Sequence, residues 1–137
     1  VRATLGVFAL SACALLAGCG VSAQDLFIVT RSGQGPHAQL TLLVDEEGGV
    51  TCDGHAAARK LEDQQIDKAR EIQEELEKPS ASQLSLAPRA GSVFSYTVRD
   101  EKGSVRFADN SAHQPSVLHK LQLFVLQVSQ EICHLAN

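Results

Sequence analysis

Residues 94–107 read FSYTVRDEKGSVRF, and their reading decides the fold. Phe94, Tyr96 and Val98 alternate with Ser95 and Thr97, Asp100 to Gly103 form a tight turn, and Val105 and Phe107 resume the alternation on the way back. Successive side chains of a strand point to opposite faces, so this stretch is an antiparallel hairpin with its large apolar residues on one side. The flanking segments must then supply a layer to cover that side.

Downstream, Pro115 opens a helix in which Leu118, Leu121, Val125, Val128, Ile132 and Leu135 recur at spacings of three and four, with Cys133 in its last turns. An apolar stripe of that kind needs a sheet or helix against it. Upstream, residues 56–78 show the same period. Leu61, Ala69, Ile72 and Leu76 fall on one helical face with Ile66 beside it, and Pro79 supplies the stop. Residues 80–91 are rich in Ser, Ala, Gln, Pro and Gly and read as a loop. Earlier still, Leu40, Leu42 and Val44 alternate up to a turn at Asp45, Glu46, Glu47, Gly48 and Gly49, and Val50 and Cys52 return. The run LFIVTR at 26–31 is a further strand, ending in a turn cluster from Ser32 to Pro36. The order strand, hairpin, helix, hairpin, helix predicts an α+β fold: an antiparallel sheet of about five strands with both helices packed on one face, forming a single domain over residues 26–137.

The 137 residues are 44% hydrophobic and 20% charged, with a formal net charge of −4. That length suits one domain plus processing or linker segments. The balance argues against a collagen-like chain, a disordered acidic tail and a polytopic membrane protein. Twelve Lys and Arg without a basic cluster leave nucleic acid no electrostatic footprint.

Residues 1–18, VRATLGVFALSACALLAG, carry one charge at Arg2, an apolar run from Leu5 to Ala17 and small residues before Cys19. This is the pattern of an export signal, too short for a helix of ~20 apolar residues that spans a bilayer. Val1, in a chain without Met, reads as an alternative start codon taken literally, which points to a bacterial source. Leu16, Ala17, Gly18 and Cys19 stand as L-A-G-C, which resembles the lipobox of bacterial lipoproteins. The resemblance implies thioether attachment of a diacylglyceryl group to Cys19, cleavage between Gly18 and Cys19, and acylation of the new amino terminus. Two or three acyl chains anchor durably where one does not. The expectation is a lipid-anchored protein on the extracytoplasmic side of a cell membrane, with residues 19–25 as a tether. Extended, Gly20 to Asp25 reach about 20 Å at ~3.3 Å per residue.

Cys13 leaves with the signal and Cys19 takes the lipid, so Cys52 and Cys133 remain. Outside the cytoplasm two leftover thiols pair, and a Cys52–Cys133 disulfide would pin the last helix to the sheet. The alternative is a zinc set of Cys52, His55, Cys133 and His134, whose spacing matches none of the usual ligand motifs. The expectation is therefore a disulfide, with no metal and no cofactor.

No nucleophile elbow, zinc-protease helix, Walker loop or dinucleotide fingerprint is present. Gly33 and Gly35 before Pro36 belong to a turn, and His37, His55, His113, His119 and His134 are scattered. Glu71, Glu74, Glu75 and Glu77 beside Lys68, Arg70 and Lys78 read as a solvated helix face with i,i+4 pairing. No catalytic residue can be named, and the chain is expected not to be an enzyme.

Across residues 26–130, a strand ending in Arg31-Ser32-Gly33, a mid-chain helix, the Phe94, Tyr96, Val98 hairpin with its acidic-glycine turn, and Pro115 leading into Leu118 and Leu121 resemble the emfourin type of metalloprotease inhibitor. The chain departs from that type in its lipobox, in Cys52 and Cys133, and in Gln34 where a second glycine is usual. It also resembles bacterial lipoproteins with an LFIVTRSG opening, for which no activity is implied. The emfourin likeness implies a small non-catalytic α+β domain that occludes a protease's active-site cleft. The expected function is a membrane-anchored binding or interaction domain, a protease inhibitor in its most specific form, the alternative being a structural or assembly lipoprotein of the envelope. Its expected partners are the membrane, through the lipid, and a protein, either a protease or an envelope component.

Overall fold

The computed structural model describes residues 24–134. The predicted signal, Cys19 and Leu135 lie outside the described residues. The elements are β1 (Asp25–Gly33), β2 (Leu40–Asp45), β3 (Val50–Cys52), β4 (His55–Ala56), α1 (Asp63–Ala81), β5 (Phe94–Arg99), β6 (Ser104–Ala108) and α2 (Ser116–Glu131). The fold is α+β, with two helices and one antiparallel sheet among the described residues, in the order β4-β3-β2-β1-β5-β6.

Six strands replace the five expected, and the extra one follows from Asp53-Gly54. Both residues have positive φ, 50° and 82°, and Cys52 pairs with His55 across them. Two central residues with φ > 0 make a type I′ turn, for which Asp-Gly is among the favoured sequences. The chain therefore doubles back at Asp53-Gly54, and the start of the helical period expected from residue 56 is taken up by β4 and the segment after it. Ala57 N–H then donates to Val50 O and Leu61 N–H to Gly48 O, which holds residues 57–61 along the first hairpin. Helix α1 begins only at Asp63, where the Glu62 and Gln65 side chains form a capping box.

Pro79 does not stop α1, which runs to Ala81. Proline's missing N–H costs one bond, but here it falls in the last turn. That turn is secured from outside: Ser82 N–H donates to Lys78 O, Leu84 N–H to Pro79 O, and the Ser82 hydroxyl to Pro79 O. At the other end of the chain, Cys133 lies just beyond α2 and not within its last turns. Ile132 and Cys133 both donate to Val128 O, which closes the helix.

The sheet's pleat separates two faces. Phe27 and Val29 of β1, Leu40, Leu42 and Val44 of β2, Val98 of β5 and Val105 of β6 are at most 2% exposed and face the helices. Against them α1 sets Ala69, Ile72 and Leu76, and α2 sets Leu118, Leu121 and Val125, each fully buried. Phe27 meets Phe124 edge to face with ring centroids 6.0 Å apart, and Tyr96 stacks on Phe107 at 5.0 Å. Both helices lie on this one face, as the apolar stripes require. Among the described residues the opposite face has neither helix over it.

Candidate functional site

The open face is built by register. Thr30 of β1 pairs with Thr41 of β2 on one side and Thr97 of β5 on the other, and Thr97 pairs with Arg106 of β6. Directly paired residues point the same way, so three threonines and an arginine form a row across four strands at a spacing of ~4.8 Å. The next row, two residues along each strand, contains Thr51, Leu43, Ile28, Arg99 and Ser104, and Ser32 and Ser95 pair on the far side. Thr30, Thr41, Ser95, Arg99 and Arg106 are exposed, and Ile28, Leu43, Thr51 and Thr97 are half-buried.

β-Branched side chains dominate because they suit a pleated surface, and their hydroxyls make it wettable without charge. The only full charges in these rows are Arg99 and Arg106, and neither is paired with a carboxylate among the described residues. The face therefore offers hydroxyl donors and acceptors, two guanidinium groups and a small aliphatic centre at Ile28 and Leu43.

A ligand would have to use this face and not the sheet's edges. Along β6, Arg106 N–H donates to Leu84 O and Arg106 O accepts from Leu86 N–H, with Ser85 bridged in parallel to Arg106. The other edge, β4, is two residues long. Covered and short edges deny an incoming strand its backbone template.

Several of the residues that carry the emfourin likeness serve the interior, while Glu101 and Lys102 of its acidic-glycine turn are exposed. Arg31 is 7% exposed. Its Nε donates to Ala38 O at 3.2 Å, its Nη2 to His37 O at 3.0 Å, and its guanidinium lies 5.0 Å from the centre of the Phe94 ring. It ties down the loop between β1 and β2 and packs by cation–π attraction. Burial pushes the Tyr96 phenol above its ordinary range, with Arg31 opposing and Asp109 adding to the shift. Gly33 pairs with Phe94, and a Cβ there would stand 2.5 Å from Val93 O. Leu118 and Leu121 are fully buried as well, so these positions serve packing.

Cys52 and Cys133 form the expected disulfide, with Cα atoms 6.0 Å apart. The zinc alternative had the right neighbourhood: Cys52, His55, Cys133 and His134 line one open depression of about 340 Å³. Both sulfurs are spent on each other, however, and the two thiolates such a set requires are not available. Among the described residues no group of three His, Cys, Asp or Glu side chains is arranged to hold a metal ion. All five histidines are exposed, and His55 and His134 share the depression beside the disulfide.

The acidic face of α1 does more than pair along its own helix. Lys68 meets Glu71 and Arg70 meets Asp67 at i,i+3, where i,i+4 had been expected. Lys120 of α2 reaches across to both Glu71 and Glu75. These contacts hold Glu71 down at a pKa of about 2, through hydrogen bonds from Lys120 and then Lys68. The run is thus a clasp between helices, a role that local periodicity does not reveal.

No helix among the described residues is long and apolar enough to cross a membrane. The chain matches no protein-family model, no curated protein and no solved structure.

Proposed function

We propose that this chain is an extracytoplasmic lipoprotein, anchored through Cys19, whose domain binds a protein partner on the open face of its sheet without catalysing a reaction. The anchor reading rests on Leu16-Ala17-Gly18-Cys19 at the end of an apolar run. The binding reading rests on one observation: a face of five strands, rich in hydroxyls and carrying two arginines without acidic partners among the described residues, with neither helix laid over it. A flat face of that chemistry suits a broad polar surface with exposed carboxylates. A small molecule would need a cleft with converging groups.

Two experiments separate the parts of the proposal. Cys19→Ala should leave an unprocessed precursor or release the protein from the membrane fraction; full membrane retention of a cleaved mutant overturns the anchor. A photo-crosslinking side chain at Thr97 should yield a protein adduct in native membranes, and one at Glu74, on the helix side, should not. Equal adducts from both, or none from either, remove the sheet face as the binding surface. Protease inhibition is the most specific form of the reading, and its support is the emfourin likeness. It is tested by mixing the soluble domain with a thermolysin-type protease: a complex that Thr97→Glu abolishes supports inhibition through this face, and no complex at micromolar concentration removes inhibition.

A further inference from the structure

Leu123 and Leu126 are the only exposed leucines among the described residues. They are 68% and 42% exposed, and lie three residues apart on the outer side of α2. Residues three apart on a helix are neighbours, so the two form one apolar spot. Around it residues 121–130 read LQLFVLQVSQ, without a charged side chain, and Gln122, Gln127 and Gln130 flank the leucines. The adjoining helix is different. α1 carries Asp63, Asp67, Glu71, Glu74, Glu75 and Glu77 against three cations, a balance repelled by anionic headgroups. Of the two helices that make up this side of the molecule, only α2 has a face that lipid would accept.

The tether places that face within reach of the anchor. β1 starts at Asp25, and Phe27, two residues in, touches Phe124, the neighbour of Leu123. The helix layer is a single helix deep, ~10–12 Å with side chains, which is less than the about 17 Å that the five steps from Cys19 to Gln24 span when extended, Asp25 being already in β1. A lipid on Cys19 can therefore lie level with the outer surface of α2.

We propose that the outer face of α2, centred on Leu123 and Leu126, rests against the lipid bilayer, so that the open sheet face is turned away from the membrane toward its partner. The proposal rests on lipidation of Cys19. Tethering makes a weak two-leucine contact effective, because the bilayer is already within the length of the linker. The same geometry gives the sandwich a polarity: α2 toward lipid, threonine rows toward the surrounding space.

The test uses the processed full chain with its disulfide intact, carrying Leu123→Cys, Leu126→Cys or Thr97→Cys labelled with an environment-sensitive fluorophore. Each protein is reconstituted into protein-free vesicles of phosphatidylethanolamine and phosphatidylglycerol. Emission should shift to the blue at 123 and 126 and stay in place at 97. No shift at 123 and 126 in protein that floats with the vesicles overturns the orientation while leaving the anchor intact, and so does an equal shift at 97. A shift that occurs only in native membranes overturns it in favour of a protein partner on α2. Protein that neither floats nor incorporates labelled palmitate removes the anchor and this proposal with it.

Discussion

Ser80, fully buried near the end of α1, donates its hydroxyl to Asp100 Oδ2 at 2.7 Å, and so fastens the helix to the β5–β6 turn. The other oxygen of Asp100 accepts Lys102 N–H at 2.8 Å and Gly103 N–H at 3.0 Å. One 6%-exposed carboxylate thus shapes the turn and docks it. Removing it strands the buried Ser80 hydroxyl and two part-buried backbone donors, and an unsatisfied buried group costs about 1–3 kcal/mol. Asp100→Ala should lose stability toward the upper part of that range, Asp100→Asn less because its carbonyl can keep both backbone donors, and Ser80→Ala least. The order of urea midpoints checks this; equal midpoints for Asp100→Ala and the parent refute it.

The Cys52–Cys133 bridge closes a separation of 81 residues. By the chain-entropy estimate such a crosslink stabilises by about 4 kcal/mol, acting chiefly on the unfolded ensemble. Cys52→Ser with Cys133→Ser should lower the unfolding midpoint by that order while preserving the far-ultraviolet spectrum. Hydrogen exchange should quicken first at Ile132 to His134, which the bridge fastens to β3. A midpoint unchanged by reduction would deny the disulfide its stabilising role.

Much of this architecture is legible in the sequence because alternation and helical spacing are local. Tyr96, Val98, Val105 and Phe107 announce their hairpin, and Leu118, Leu121 and Val125 their stripe. What local pattern hides is a change of state inside a compatible period. Leu61 sits at helical spacing from Ala69 and Ile72, yet the Asp53-Gly54 turn and the Leu61 N–H to Gly48 O bond draw it onto the first hairpin. Asp-Gly was the available signal. Pro79 misleads for a related reason, since its helix-ending tendency is overridden by bonds made after the chain has turned. The open sheet face was legible only in part: the threonines are visible as polar alternates, but their alignment in one row depends on which strands pair, and β1 with β5 lies 60 residues beyond local reach.

Gly33 lies opposite Phe94, where an added Cβ would come within 2.8 Å of the aromatic ring and 2.5 Å of Val93 O. The oxygen is backbone and cannot swing aside. Gly33→Ala should therefore destabilise by about 1–3 kcal/mol through overpacking. It should also loosen the Arg31–Phe94 contact. Thermal denaturation of the variant tests it, and a midpoint equal to the parent's would show that β5 yields at no cost.

Tyr96 is the chain's one tyrosine, and there is no tryptophan. Its phenolate absorbance therefore reports a single site. Burial raises its pKa above the ordinary value of 10.0. A group whose pKa is raised by folding contributes stability that is whole below the unfolded value and disappears as pH climbs through the folded one. Ionisation should therefore begin above pH 10, and loss of the circular dichroism signal should accompany it. Tyr96→Phe should flatten stability against pH in that alkaline window. Ionisation at the ordinary value with the fold intact would contradict the buried placement.

Glu71 has the opposite sign. Hydrogen bonds from Lys120 and then Lys68 lower its pKa from 4.5 to about 2, so folding favours its charged form. The contribution is fully present above pH 4.5 and is lost as pH falls toward 2. The carboxylate is at the surface, so salt should screen the effect. Lys120→Gln should shallow the decline in stability between those two pH values, and Glu71→Gln should do the same. Because Lys120 also engages Glu75, the double variant should change little beyond Lys120→Gln alone, which makes the cycle strongly non-additive. Equal acid sensitivity in the parent and Lys120→Gln would show that the clasp between α1 and α2 carries no stability of its own.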